Sequence, residues 1–182
     1  MQLNGNGPAA GGDALRRAVR EVESHVGASG WDQPARLYAL AATSELIRDE
    51  PGLAARLGLD ETEAAGTLTP IEQELAPDGP PLEDLLATIS WPEQVAGCAA
   101  VVERLVLPPG AEQDLPEDRT AREEYAASHP ARSEVRLAVA VLRGGQVACA
   151  LRMRAHDRDD EVLEGPDLVP ALARLLADTL AD

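Results

Sequence analysis

The chain contains no lysine: all sixteen of its basic residues are arginine. Phenylalanine is also absent, and Trp31, Trp91, Tyr38 and Tyr125 are the only aromatic residues. With the abundance of alanine and proline, this bias reads as a GC-rich coding signature rather than a demand of the fold. A core must therefore come from Leu, Val and Ala, and 182 residues at 45 % hydrophobic content suffice for one without staples. Two cysteines, Cys98 and Cys149, leave no disulfide framework, and neither belongs to a CxxC pair. No apolar run approaches the roughly 20 residues that span a bilayer. The first residues, MQLNGNGPAAGGD, lack the basic start and apolar stretch of a signal peptide, so the expected address is the cytoplasm. Positive charge is in short supply too. A net charge of −16 repels phosphate backbones and anionic membrane surfaces, so neither nucleic acid nor membrane is expected as a partner.

Residues 1–12 are rich in Gly, Asn and Ala with little to bury, and read as a disordered tail ahead of one α+β domain over 13–182. Leu15, Val19, Val22 and Val26 fall on one face of a helix. A second helix is expected over 32–50, capped by Asp32, with Pro34 in its first turn and Leu37, Leu40, Ser44 and Ile47 on its inner stripe. The two form an N-terminal helical pair. Thr69 to Glu72, TPIE, is a capping box that predicts a short helix through PIEQEL, and LEDLLATI predicts another. A further box, Thr120 to Glu123, opens a helix that ends near SHP.

An antiparallel sheet of three or more strands follows from two signals. VAGCAAVVERLVLP is apolar on both alternating faces, as in a strand covered on both sides. VRLAVAVLRGGQVACALRMR is a hairpin around Gly144-Gly145. With those glycines as the loop, Val141 faces Ala148, Ala140 faces Cys149 and Leu137 faces Arg152. Arg152 and Arg154 then share a face with Val135, Leu137, Val139 and Val141. Asp167 caps a C-terminal amphipathic helix that buries Leu168, Leu172, Leu175, Leu176 and Leu180. The fold class is α+β.

The densest group of metal-ligating residue types is HDRDDE, from His156 to Glu161. An EF-hand counted from Asp157 fails, because its sixth position is Val162 and its twelfth Leu168. A zinc site wants a second His or Cys at short spacing. The stretch therefore reads as a solvated loop, with His156, Asp157, Asp159 and Asp160 as weak candidates for a cation; no metal and no cofactor is expected. Both cysteines lie in apolar strands and read as structural thiols. GNGPAAGG follows no strand and lacks a GK[ST], so it is not a phosphate loop. Ser24-His25 and Ser128-His129 are neighbours in sequence, which does not make a triad, and the histidines read as surface or capping residues.

Charge is unevenly placed. Segment 132–154 holds five arginines and one acid, whereas 60–84 holds eight acids and no base. The arginines pair internally, with the acidic middle or the 157–161 loop, or meet an anionic partner. Trp31 and Trp91 pack at helix junctions or anchor a partner. These features favour a non-enzymatic, acidic protein-interaction module, with a homodimer as one form, and Trp31, Trp91, Arg152 and Arg154 as contact residues. The alternative is a small-molecule-binding protein or enzyme with its pocket between the sheet and the N-terminal helices.

GWDQPARLYAL, LTPIEQE, RLVLPP and GPDLVPALARLLADTL together resemble an uncharacterised family of hypothetical actinobacterial proteins, represented structurally by a propionibacterial member. The resemblance runs from about Arg20 to the C-terminus. It implies an actinobacterial origin and an α+β unit, and brings no known activity or site residues. The element pattern is also similar to small secretion-chaperone-like folds, although folds do not fix functions.

Overall fold

The computed structural model describes residues 8–181. In chain order it has α1 (Pro8–Gly27), β1 (Arg36–Ala42), α2 (Thr43–Asp49), α3 (Pro51–Arg56), β2 (Leu68–Gln73), α4 (Leu82–Leu86), β3 (Gly97–Val106), α5 (Arg119–Ser128), β4 (Ser133–Leu142), β5 (Val147–Met153), β6 (Leu163–Gly165) and α6 (Pro170–Thr179). Short 3₁₀ turns cover Ala111–Asp114 and Asp159–Glu161. The six strands form one antiparallel sheet in the order β2-β1-β3-β4-β5-β6. The class is α+β, with a helix at each end of the chain.

Each face of the sheet carries its own core. On one face Leu15, Val19, Val22 and Val26 of α1 lie on small residues, Ala99, Ala138, Ala140, Ala148 and Ala150. On the other, Leu172, Leu176 and Leu180 of the α6 region join Leu82 and Leu86 of α4 over Cys98, Val102, Val135, Val139 and Val141. Each fully buried Val or Leu contributes about 1.5–3 kcal/mol, so the periodic stripe of α1 is a principal brace.

The N-terminal helical pair is corrected: α1 has no helical partner over 32–42. Asp32 takes φ 64° instead of a capping conformation, and Arg36–Ala42 is β1, paired with both β2 and β3. Leu37 joins one core, and Tyr38 and Leu40 the other. A strand covered on both faces is apolar throughout, and periodicity alone does not separate it from a helix. The TPIE box is likewise strand β2: Thr69 meets the Thr43 hydroxyl at 2.8 Å rather than capping a helix. Pro70 is tolerated there because β2 is an edge. The tail expected over 1–12 lies outside the described residues up to residue 7, and α1 takes in the rest.

The hairpin forms in a different register, with Val141 opposite Val147, Leu137 opposite Leu151 and Arg136 opposite Arg152. Its loop has three residues, Arg143, Gly144 and Gly145. The Gly145 N–H donates to the Leu142 carbonyl at 2.9 Å, and the Leu142 N–H to the Gln146 carbonyl at 3.0 Å. Only Gly145 has a positive φ, 88°, which is the type I turn plus left-handed residue of three-residue hairpins. Arg143 is held on the β3 side: its backbone N–H donates to the Ala96 carbonyl at 3.0 Å, and its guanidinium donates to the carbonyls of Val95, Trp91, Pro92 and Leu180. A one-residue slip reverses every side chain of β5. Arg152 therefore faces α1, not the valine face. Gly97, which opens β3, is required by close approach, since a Cβ there would lie 2.3 Å from the Val141 carbonyl oxygen.

At the C-terminus, α6 begins at Pro170 after Val169, later than the Asp167 cap predicts, and Leu168 stays partly exposed. Helix α5 is capped by Asp118, which accepts from the Ala121 N–H at 3.0 Å, two residues before the expected Thr120.

Candidate functional site

The hairpin register assembles a polar layer beneath the C-terminal end of α1. Cross-strand neighbours Glu103, Arg136 and Arg152 come from β3, β4 and β5, and Glu23 reaches down from α1. Arg136 is 1 % exposed and Glu23 2 %. The Glu23 carboxylate accepts from Arg152 Nε at 2.7 Å and from Nη2 at 3.0 Å, a two-point fork, and lies 3.5 Å from Arg136 Nη1. Arg136 Nη2 also donates to Glu103 at 3.3 Å and to the Gly30 carbonyl just beyond α1. A cation at this helix end complements the macrodipole.

The outer side of the layer is closed by the loop after β5. Arg152 Nη1 donates to Asp157 at 3.2 Å and Nη2 to Asp159 at 2.8 Å. Trp31 covers Arg136, with the guanidinium carbon 4.4 Å from the ring centre, and its indole N–H donates to Asp157 at 2.9 Å. Arg154 lies 5.6 Å from the same ring and pairs with Asp32 at 3.0 Å and with Glu134. Glu23 first, then Asp159, holds the Arg152 guanidinium more firmly protonated than usual; Asp32 and Glu134 do the same for Arg154. Among the described residues Arg136 Nε has no hydrogen-bond partner.

Of the residues singled out from sequence, this layer thus unites Trp31, Arg152, Arg154, Asp157 and Asp159, with the loop contributing the internal pairing. Trp91 lies elsewhere, packed on the α6 core, its indole N–H donating to the Thr179 hydroxyl at 3.0 Å. The weak cation candidates are drawn to other groups: Asp160 pairs with Arg158 at 2.9 Å, and His156 lies 3.6 Å from Glu161. Among the described residues, no three His, Cys, Asp or Glu side chains converge as a metal site. Cys98 and Cys149 are buried. Burial pushes the Cys98 thiol up to about 11 and raises Cys149 as well, the opposite of nucleophile activation.

Three residues of the layer were missed from sequence: Glu23, Arg136 and Glu103. The signal was there for two of them. Glu23 falls on the buried stripe of α1, four residues after Val19, and Arg136 interrupts an apolar strand.

A second feature is a cleft of about 470 Å³ between the N-terminal half of α1 and the β5–β6 edge, lined by Asp13, Arg16, Val147, Ala148, Glu164 and Pro166 among others. Arg16 pairs with Asp13, and Arg20 with Glu164 at 3.3 Å.

Fold and layer together define a class: an α+β protein whose two-faced antiparallel sheet is clamped to its first helix by an internal arginine–carboxylate network. Over residues 15–181 the chain matches the family described as PPA1309-like protein, and it belongs to that family. This agrees with the resemblance of the sequence motifs to an uncharacterised family, and the family description names no activity. No curated protein and no solved structure matches the chain.

Proposed function

We propose that this protein is a non-enzymatic interaction module that presents an acidic face to a basic partner. The supporting observation is where its charge is spent. Arg136, Arg152 and Arg154 are committed to carboxylates within the chain. The acids of 60–84 instead flank edge strand β2 in sequence, and all but Glu83 are exposed. Of these, Glu72 pairs with Arg36 and Glu83 with Arg104. Glu61, Glu63, Glu74, Asp78 and Asp84 are exposed and have no ion pair among the described residues. A one-sign surface of this kind steers an oppositely charged partner and speeds association. No helix among the described residues is long and apolar enough to cross a membrane.

The test is capture from the host's lysate by the tagged protein at two salt concentrations, repeated with those five acids neutralised to Gln or Asn. The expected result is a stoichiometric partner lost at high salt and lost with the neutralised variant. A partner indifferent to both changes, or bait that emerges alone, overturns the proposal.

The cleft favours a second reading, a small-molecule site, since its volume lies in the range of roughly 300–1,000 Å³ usual for ligand pockets. Ligand screening by melting temperature tests it: a saturable rise abolished by Arg16→Ala supports it.

A further inference from the structure

Strand β2 is an outer strand of the sheet, paired on one side with β1. Two hydrogen bonds fix which of its backbone groups that pairing uses. The Thr43 N–H donates to the Thr67 carbonyl at 3.1 Å, so Thr67 turns its main chain toward β1. The Ala96 N–H donates to the Leu40 carbonyl at 2.9 Å, so Leu40 faces β3 rather than its register partner Pro70. Successive residues of an antiparallel strand alternate in direction. Thr69, Ile71 and Gln73 therefore face β1, and Leu68, Pro70 and Glu72 face outward. Among the described residues the outward N–H and C=O of Leu68 and Glu72 and the Pro70 carbonyl make no hydrogen bond. An outward position is the one a strand can give to proline, and Pro70 withholds a single donor from this row.

The chain leaves the adjoining lane clear at both ends. Before β2, the Thr67 N–H donates to the Ala64 carbonyl at 3.2 Å, on the side where the Thr67 carbonyl meets Thr43, so the incoming loop lies toward β1. After Gln73, Leu75 packs on the core shared by α4 and α6, and the chain leaves across that face. An open edge with free donors and acceptors is a template for another strand.

Charge selects the occupant. From Leu57 to Glu103 the sequence has no basic residue. Glu72 gives only its Oε1 to Arg36 and is 42 % exposed. Glu74, just past the strand, has no ion pair among the described residues. At the Leu68 end Arg17 and Glu21 of α1 border the strand and offset one another. The unbalanced negative charge thus lies at the Glu72 end. A second copy would bring a further net charge of −16 to the same edge, which disfavours self-pairing.

We propose that the outer edge of β2 is a strand-addition site for an extended segment of a partner protein, with a basic residue opposite Glu72 and an apolar residue opposite Ile71. The segment runs antiparallel to β2. Its basic residue exchanges main-chain hydrogen bonds with Glu72 and pairs with the Glu72 carboxylate across the strands. The next side chain lies on the other face, beside the partly buried Ile71. This deepens the acidic-face reading and rests on it, naming the partner's chemistry and its seat.

The probe is the acetylated, amidated heptapeptide Gly-Arg-Val-Thr-Val-Thr-Gly, whose five central residues lie opposite Glu72 to Leu68. It is titrated into the full chain with ¹⁵N–¹H spectra as readout. Saturable shifts centred on the Leu68 and Glu72 amides are expected. Glu in place of the peptide Arg should weaken binding about tenfold, and Glu72→Gln should shrink that discrimination. Methylating the main-chain nitrogen of the first threonine removes the donor aimed at Pro70 and should also cost about tenfold. Methylating that of the first valine, which faces away from β2, should have little effect. Absence of saturable shifts, shifts centred elsewhere, indifference to the charge swap, or equal effects of the two methylations overturns the proposal. So does concentration-dependent movement of the Leu68 and Glu72 amides without peptide, which makes the edge a self-association surface. If the peptide fails while a salt-sensitive partner is still captured, this inference falls alone. If the peptide binds while the bait emerges alone from the lysate, the reading of the chain as an interaction module is what fails.

Discussion

Helix α1 makes the same contact twice, an arginine against a carboxylate across the helix–sheet seam, with opposite consequences at its two ends. At the C-terminal end Glu23, Arg136 and Arg152 are sealed from water by Trp31, the sheet and the 155–161 loop. At the N-terminal end Arg20–Glu164 and Arg16–Asp13 lie at the surface, their side chains between 37 % and 66 % exposed. What separates them is cover: Trp31 and the loop after β5 close over Arg152, whereas Arg20, Glu164, Arg16 and Asp13 face solvent. Where neighbouring structure persists the charges lose their water and become mutually dependent; where it stops they remain exchangeable. The first arrangement clamps the helix to the sheet, and the second stays open to solvent.

Breaking the closed end should have the largest effect. Glu23→Ala leaves two buried guanidinium groups short of a carboxylate, and losses of about 3–5 kcal/mol are typical for one partner of a buried pair. Urea denaturation measures it. Glu23→Met combined with Arg152→Met should be less damaging than Glu23→Ala, because it removes charge from both sides. A single-variant loss below about 1 kcal/mol would show that the layer is not the clamp described.

Among the described residues the opposite face of the sheet carries no comparable layer of arginine–carboxylate pairs, and Cys98 makes it a control. Its thiol is held up at about 11 against an ordinary 9.0, by desolvation first, so the fold favours the neutral form. That contribution is fully present below pH 9 and is lost as pH rises toward 11. It amounts to roughly 2–3 kcal/mol on the linkage relation. Stability should fall over this alkaline window and fall less in Cys98→Val. At neutral pH, alkylation of Cys98 should track global unfolding; fast alkylation of the folded chain would contradict its burial.

Trp31 tests the lid of the closed end more gently. Trp31→Ala removes the ring over Arg136 and the hydrogen bond to Asp157, and a cost of about 1–2 kcal/mol is expected. Trp31→Phe keeps the ring and should recover part of it. Hydrogen exchange should quicken first in residues 155–161; unchanged exchange there would mean that Trp31 does not secure the loop.

The sequence displays the closed end imperfectly, for a physical reason. The stripe of α1 is legible because a helix buried on one side separates its residues by period. The C-terminal helix and the strand around Cys98 are legible on the same logic. Strand β1 is not, since burial on both faces erases the alternation between Leu37 and Leu40 that distinguishes strand from helix. Arg152 could be seen as an unusual strand residue, but its direction depended on whether two residues or three close the hairpin. That choice is made by Arg143, whose carbonyl partners at Val95, Trp91 and Leu180 are remote in sequence. The cleft is harder still to read: Gly165-Pro166 marks where β6 ends, but nothing in the sequence sets α1 beside that edge.

The smallest predicted effect belongs to the open end. Arg20→Ala or Glu164→Ala breaks a pair in which the two side chains are 51 % and 37 % exposed, and such pairs contribute about 0.2–1 kcal/mol. Raising the salt concentration should shrink the difference from wild type, since screening acts within roughly 10 Å at 0.1 M and more closely above it. The cost of Glu23→Ala should barely respond to salt, because its charges are shielded by protein rather than by ions. Parallel urea titrations of both variants at low and high salt put the two ends on one scale. If Glu164→Ala matches Glu23→Ala in size and is equally insensitive to salt, the N-terminal pairs are a second clamp, and a cleft built on exchangeable charges loses its basis. A small, salt-erased effect marks Arg20–Glu164 as a solvent-screened pair, unlike the clamp at Glu23.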